Sequence, residues 1–230
     1  MDWSTIDAIY LLCHREKESD RWQRLEVHLA KRGIPPSKLV SMAPTWGDQL
    51  SESVFNVYDP FLPRPCPFLS WKGRALSLGE ISLVLNFWSG VDHAIQNRYK
   101  TVMFFESDVF LRDDFSQRLG DLLALLKPME WDFVSLSDGV GTHIEPNTSV
   151  FAKTSVHKPP HQCPFRCTDS MLFNVDFLRK IRGRAFPFRE CLDWELNYQL
   201  GSIGGKAFWV EPHLVEQGTS KHRMTSLLPA

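Results

Sequence analysis

The stretch VMFFESDVFL, Val102 to Leu111, sets four apolar residues directly before Glu106, Ser107 and Asp108 and then returns to apolar residues. The apolar run reads as a buried β-strand. Strand side chains alternate between faces, so Glu106 and Asp108 are expected on the same side. Inside a core, unpaired carboxylates strongly resist desolvation. The least costly arrangement is a strand that ends here and releases both acids at the carboxyl edge of a sheet. That edge is where open α/β sheets bind ligands. Two carboxylates there suit a hard divalent cation, Mg2+ or Mn2+, shared with diphosphate oxygens. The plainer alternative is a strand end with two solvated acids.

On either side of this stretch, apolar runs alternate with helical patterns, which predicts an α/β fold. Upstream, residues 77–97 give the clearest helix: Ser77 and Glu80 form an S-x-x-E capping box, and Leu78, Ile81, Leu85, Trp88, Val91 and Ile95 share one face. Residues 6–13 read as a first strand and 19–34 as a helix with Ser19 as N-cap and Gly33 as stop. Residues 38–44 read as a second strand, followed to about Lys72 by a long loop rich in proline, serine and aromatics. Downstream come a helix over 114–127 capped by Asp113 or Asp114 and a strand within 131–139. Residues 140–167 read as irregular. A strand running into a short helix within 169–183, a helix over 192–205, a last strand over 206–212 and a polar tail follow. The expected organisation is one domain over 1–230, with 1–139 as the half that carries the candidate cation and diphosphate site and 140–230 as the second half and tail.

Composition narrows the function. Lys plus Arg total 26 against Asp plus Glu 27, for a net charge of −1, which argues against coating nucleic acid or an anionic membrane. No apolar run approaches the ~20 residues that span a bilayer, so no membrane span is expected. Five cysteines suit reduced thiols, and the opening residues carry no basic leader. The expectation is a cytoplasmic protein in which the sequon at Asn147 goes unglycosylated.

Two blocks resemble GT-A type sugar-nucleotide glycosyltransferases, and glycosyltransferase family 25 most closely. IYLLCHREKESDRWQRLEVHLAKRGI (residues 9–34) is similar to that family's opening strand, basic stretch and first helix. LSLGEISLVLNFWSGVDHAIQNRYKTVMFFESDVFL (residues 76–111) is similar to its GE helix and acidic strand. Asn86-Phe87 stands where the family has Ser-His, and Glu106-Ser107-Asp108 where it has Glu-Asp-Asp. The resemblance implies a mixed central sheet flanked by helices that binds a nucleotide-diphosphate sugar, with UDP as the nucleotide. It also implies a glycan or glycoconjugate acceptor and Mn2+ or Mg2+ as cofactor. Asp108 is then the main metal ligand, with Glu106 on the ribose or on the metal through water, and Ser107 beside the donor. Leu11 to Arg21 would face base and ribose, with Arg15 and Arg21 as candidates, although both also suit a solvated helix start. Glu80 matches the GE residue but is already explained by its cap.

Glycosyl transfer needs a general base for the acceptor hydroxyl, worth ~10²–10⁴-fold in rate. The cluster ECLDWELNYQL (190–200) offers Glu190, Asp193 and Glu195; Asp193 and Glu195 lie about 200° apart on a helix, so at most one of them faces the site. By resemblance to inverting enzymes Asp193 fits best and Glu195 second, with Trp194 beside them on the acceptor side. Asp169, at a strand start, could bind sugar hydroxyls or simply form a turn. The tail resembles a terminal segment that supplies a last metal-binding histidine. His222 is preferred over His213 because a flexible tail can fold over the diphosphate, where Lys221 and Arg223 could also meet phosphate. His157, His161, Cys163 and Cys167 could form a zinc set, but their short, proline-stiffened span favours an acceptor-side loop. Two rival readings stand beside the transferase. One is an inactive sugar-nucleotide or glycan-binding module; the other is a metal-dependent phosphoesterase or nucleotidyltransferase.

Overall fold

The computed structural model describes residues 2–63, 75–137, 153–159, 166–221 and 223–227. Its strands are β1 (Ala8–Leu12), β2 (Leu39–Ser41), β3 (Thr101–Glu106), β4 (Val109–Leu111), β5 (Phe133–Ser135), β6 (Ser155–His157), β7 (Ser170–Asn174), β8 (Ala207–Glu211) and β9 (Val215–Gln217). Its helices are α1 (Ser19–Lys31), α2 (Leu78–Gln96), α3 (Phe115–Leu126), α4 (Val175–Arg182) and α5 (Leu192–Ile203). Seven strands form one mixed, mostly parallel sheet in the order β2-β1-β3-β7-β5-β8-β6, with β7 and β6 running against the other five. β4 and β9 pair separately as an antiparallel ribbon. The protein is thus α/β, and the segments 1–139 and 140–230 share one sheet, because β7 lies between β3 and β5. Among the described residues no helix is long and apolar enough to cross a membrane.

Strand alternation sorts the core into two layers. Ala8, Tyr10 and Leu12 of β1 and Val102 and Phe104 of β3 face α2, α4 and α5. Ile9, Leu11, Met103 and Phe105 face α1 and α3. The first layer is aromatic: Phe87 lies 4.7 Å from Phe104 and 5.7 Å from Phe173 by ring centroids, and Tyr10 stacks on Phe104 at 4.8 Å. These offset and edge contacts add specific attraction to a large buried area, and they tie α2 to three neighbouring strands.

Local sequence explains most boundaries. α2 begins with both halves of the capping box in place: Ser77 Oγ accepts from Glu80 N at 3.3 Å, and Glu80 Oε2 accepts from Ser77 N at 2.8 Å. α1 stops before Gly33, whose φ of +72° is one that glycine adopts at little cost, and Gly204 at φ +65° ends α5 in the same way. Ser19, expected as N-cap, is instead the first helical residue; Glu18 takes the cap position and turns its carboxylate onto His14 N at 2.8 Å. Asp114 sits at the cap of α3, yet its carboxylate pairs with Arg112 and Arg118 rather than a helix amide.

Three expectations need correction. Glu106 and Asp108 are not paired by strand alternation: β3 ends at Glu106, a turn carries Ser107 and Asp108, and β4 belongs to the second ribbon. The tail holds β9, and the region expected to be irregular holds β6, because each borrows its hydrogen bonds from a distant strand. The sequon at Asn147, His161, Cys163 and His222 lie outside the described residues.

Gly90 marks the closest approach of α2 to the sheet. A Cβ there would sit 2.7 Å from Phe104 Cε1 and 3.3 Å from Met42 Cγ, against a ring already wedged between Tyr10 and Phe87. Overpacking costs about 1–3 kcal/mol, which exceeds the helix propensity gained from Gly to Ala, about 1 kcal/mol at most. Gly90→Ala is therefore expected to lower the urea midpoint; an unchanged or raised midpoint would show that the contact yields.

Candidate functional site

The chain winds from β1 through α1 to β2 on one side, then crosses through α2 to β3 on the other side of β1. Such a switch point opens a crevice beyond the strand ends, where open α/β sheets bind ligands. A cavity of about 400 Å³ lies here, walled by Leu12, Glu18, Arg21, Trp46, Asp48, Leu78, Asn86, Glu106, Ser107, Asp108, Gln217, Thr219 and Leu227, among others. That volume falls within the range of small-molecule sites.

Each wall is fixed by identifiable contacts. Asn86 of α2 pairs with the backbone of Thr45, accepting Thr45 N at 2.9 Å and donating to Thr45 O at 3.0 Å, which pins the loop that carries Trp46 and Asp48. Phe87, by contrast, is spent on the aromatic core. Arg21 of α1 donates to Ser107 Oγ at 2.9 Å and to the carbonyl of Thr225, so it links helix, turn and tail across the cavity. Arg24, one turn on, donates to Val109 O at 3.0 Å and Ser107 O at 2.6 Å, clasping the turn from both sides of Asp108.

Asp108 is 4 % exposed. Its Oδ2 accepts from Thr219 Oγ1 at 2.7 Å and Thr219 N at 3.2 Å, while its Oδ1 is buried without a hydrogen-bond partner among the described residues. Glu106 keeps a partial opening to the cavity and accepts from Thr168 Oγ1 at 2.6 Å. Asp169, fully buried behind it, accepts from Ser137 Oγ at 2.8 Å, and its carbonyl accepts Glu106 N at 2.8 Å. Burial, then the charge of Asp108, push the Glu106 carboxyl up to about 8, with smaller contributions from Asp169 and Asp193 and against the hydrogen bond from Thr168. Burial and Asp108 likewise hold Asp169 at about 7, although the Ser137 and Ser170 hydroxyls pull the other way.

The predicted residues thus divide. Glu106, Ser107, Asp108 and Arg21 line the cavity together. Asp169 and Asp193 stand beside Glu106 closely enough to perturb it. Leu11 does not take part through its side chain, which is 0 % exposed against α1; strand alternation hands the wall to Leu12. Arg15 is exposed and lies over the Trp22 ring at 4.5 Å, away from the cavity wall. Glu195 is committed to backbone, accepting Arg189 N and Glu190 N at 2.8 Å each. Asp193 is half-buried, and accepts from Cys191 Sγ at 3.0 Å, Trp194 N at 2.9 Å and Cys167 N at 3.4 Å. Trp194 is half-buried beside it, and His213 does not line the cavity. His157 stacks on Trp209 at 5.4 Å and shares a 2.9 Å hydrogen bond with Ser155 Oγ. Glu18, Trp46, Asp48 and Thr219 had no legible signal, since each joins the site only through tertiary packing; Asn86 stood out only as a departure from Ser-His.

Among the described residues no three His, Cys, Asp or Glu side chains are arranged to hold a metal ion by themselves. In comparisons with known proteins, no family model matches the chain, and no curated protein matches it significantly.

The raised carboxyls set a pH dependence. Folding lifts Asp169 from an ordinary 3.8 to about 7 and Glu106 from 4.5 to about 8. The folded state therefore holds protons that the unfolded chain has released. Stability from these groups is whole below pH ~4 and is lost as pH rises toward 8. Through these groups the melting temperature of the ligand-free protein is expected to fall between about pH 4 and 8, less steeply in Asp169→Asn. Equal slopes in the two proteins would mean that Asp169 ionises normally.

Proposed function

We propose that the chain is a GT-A type glycosyltransferase that moves a sugar from a nucleotide diphosphate, UDP by resemblance, to a glycan hydroxyl with inversion. The observation that carries this reading is the Asp108 carboxylate: nearly sealed from solvent, with one oxygen unpartnered among the described residues, on the wall of a cavity at the switch point of the sheet. An unsatisfied buried carboxylate oxygen is costly, so a site that retains one is suited to a cation. The mixed sheet flanked by helices agrees with the fold that the resemblance implies.

The residues present fit Mg2+ or Mn2+ as ions held by one or two carboxylates and otherwise by phosphate oxygens and water. Asp108 would hold the ion directly, with Glu106 next to it. When bound, the ion would stabilise the charge of the leaving diphosphate. The cavity wall sets Glu18, Asp48, Glu106 and Asp108 against Arg21. Glu106 is protonated below about pH 8, Asp48 is paired with Lys17 and Glu18 with Arg21, so the charge that opposes a bare diphosphate is chiefly that of Asp108, and donor binding should require the cation.

Asp193 is the base in this scheme. It takes the proton of the acceptor hydroxyl as that oxygen bonds to the anomeric carbon and the bond to the diphosphate oxygen breaks. Glu195 is less suited to the role than half-buried Asp193, because it is 2 % exposed and its Oε1 accepts two backbone amides. Thr168 and Ser137 hold the neighbouring acids in place, and Trp46 and Leu78 offer apolar surface for the base or sugar.

The first test is thermal stability against a panel of nucleotide sugars with and without Mn2+. A ligand at 100 times its Kd adds about 2.7 kcal/mol. One UDP-sugar should stabilise the wild type only with Mn2+, and Asp108→Asn should lose the shift. No shift with any sugar nucleotide, together with phosphate release from sugar-free substrates, would favour the phosphoesterase reading. Asp193→Asn should lower turnover by roughly 10²–10⁴-fold with donor binding nearly unchanged. Retained turnover would remove Asp193 as base, and absent turnover in the wild type with intact donor binding would indicate a binding module.

A further inference from the structure

The tail takes part in the acidic site through one close contact. β9 runs antiparallel to β4, with Gln217 opposite Val109, and the next residue, Gly218, donates its N–H to Asp108 O at 2.8 Å. A Cβ on Gly218 would lie 2.7 Å from that carbonyl and 2.7 Å from the Phe110 ring, so only glycine lets the tail come so near. The consequence is that Thr219 lies directly over the Asp108 carboxylate and donates to Oδ2 from both its hydroxyl (2.7 Å) and its amide (3.2 Å). Nothing comparable reaches Oδ1, which is buried and unpartnered among the described residues. Arg24 does not fill the gap, because its two terminal nitrogens donate to the carbonyls of Ser107 and Val109.

We propose that Thr219 is a positioning residue for a divalent cation: by occupying Oδ2 it fixes the Asp108 carboxylate and leaves Oδ1, unpartnered among the described residues, as the single protein ligand. The inference rests on the cation reading of the site given above, and adds the C-terminal segment to it. Hydrogen bonds to a ligand's far atom hold it at the angle the ion requires, and losing such a partner typically costs roughly 10–100-fold in metal affinity.

The test titrates Mn2+ into the full chain, alone and with UDP present, and follows the free-ion signal by electron paramagnetic resonance. Thr219→Val removes the hydroxyl donor at similar size and is expected to weaken Mn2+ binding about 10–100-fold. Thr219→Ser restores the donor and should bind as the wild type does, while Asp108→Asn should not bind. Thr219→Ala, which also lacks the hydroxyl, serves the same purpose if the valine variant does not fold. Melting temperatures without Mn2+ separate a loss of fold from a loss of affinity. Equal affinity in wild type and Thr219→Val, or weak binding in Thr219→Ser, overturns the positioning role and leaves the cation site standing. If the wild type takes up no Mn2+ with or without UDP, the cation reading itself falls, and this inference falls with it.

Discussion

Arg24 reaches from the first helix to grip the carbonyls on either side of Asp108, and much of the site follows from that clasp. The turn it holds is where the chain leaves the central sheet and enters the β4–β9 ribbon. Burying a guanidinium is costly, and burial does lower the pKa of Arg24, while the nearby Asp108 offsets it. The stacking of Arg24 on Phe110 at 4.5 Å adds a further contribution of the cation–π kind. The turn is thereby fixed from helix, strand and tail at once, with Arg21 adding a second link through Ser107 and Thr225. A loop held from three directions can keep a carboxylate in an orientation that water alone would not favour.

Behind that carboxylate the acids are arranged in depth. Asp169 is sealed and braced by two serine hydroxyls, Glu106 opens partly to the cavity, and Asp193 stands at the start of α5. After burial, Asp108 and, to a smaller extent, Asp169 and Asp193 raise the cost of ionising Glu106. A set of carboxylates that hinder each other's ionisation, with arginines committed to backbone carbonyls, has an unspent capacity for positive charge. The proposed transferase chemistry uses it at Asp108 and leaves Asp193 as the proton acceptor.

Much of the scaffold was legible because it depends on short-range rules. The Ser77–Glu80 box and Gly33 mark helix ends by contacts within a few residues, and the 3.6-residue period of α2 exposes its core face. The acids of the 102–111 stretch were legible as an anomaly, a cost that only a strand end could relieve. The period-2 argument for their pairing failed in detail, since strand geometry stops at Glu106 and a turn delivers Asp108 to the same cavity. The same alternation, applied strictly, assigns Leu11 to the core and Leu12 to the site.

The sequence alone determined that this chain alternates strands and helices, that α2 begins at a capping box, and that two acids emerge where an apolar strand stops. These follow from backbone propensity, periodicity and the desolvation cost of charge, all of which act along a few residues. Tertiary structure alone decided that β7 lies between β3 and β5, that the polar tail becomes β9, and that Thr219 comes to rest on Asp108. Those outcomes depend on contacts between residues tens of positions apart or more, such as Gly218 fitting against a carbonyl where no Cβ could. No local pattern encodes such a contact, because its stabilisation exists only once the rest of the fold has brought the two segments together.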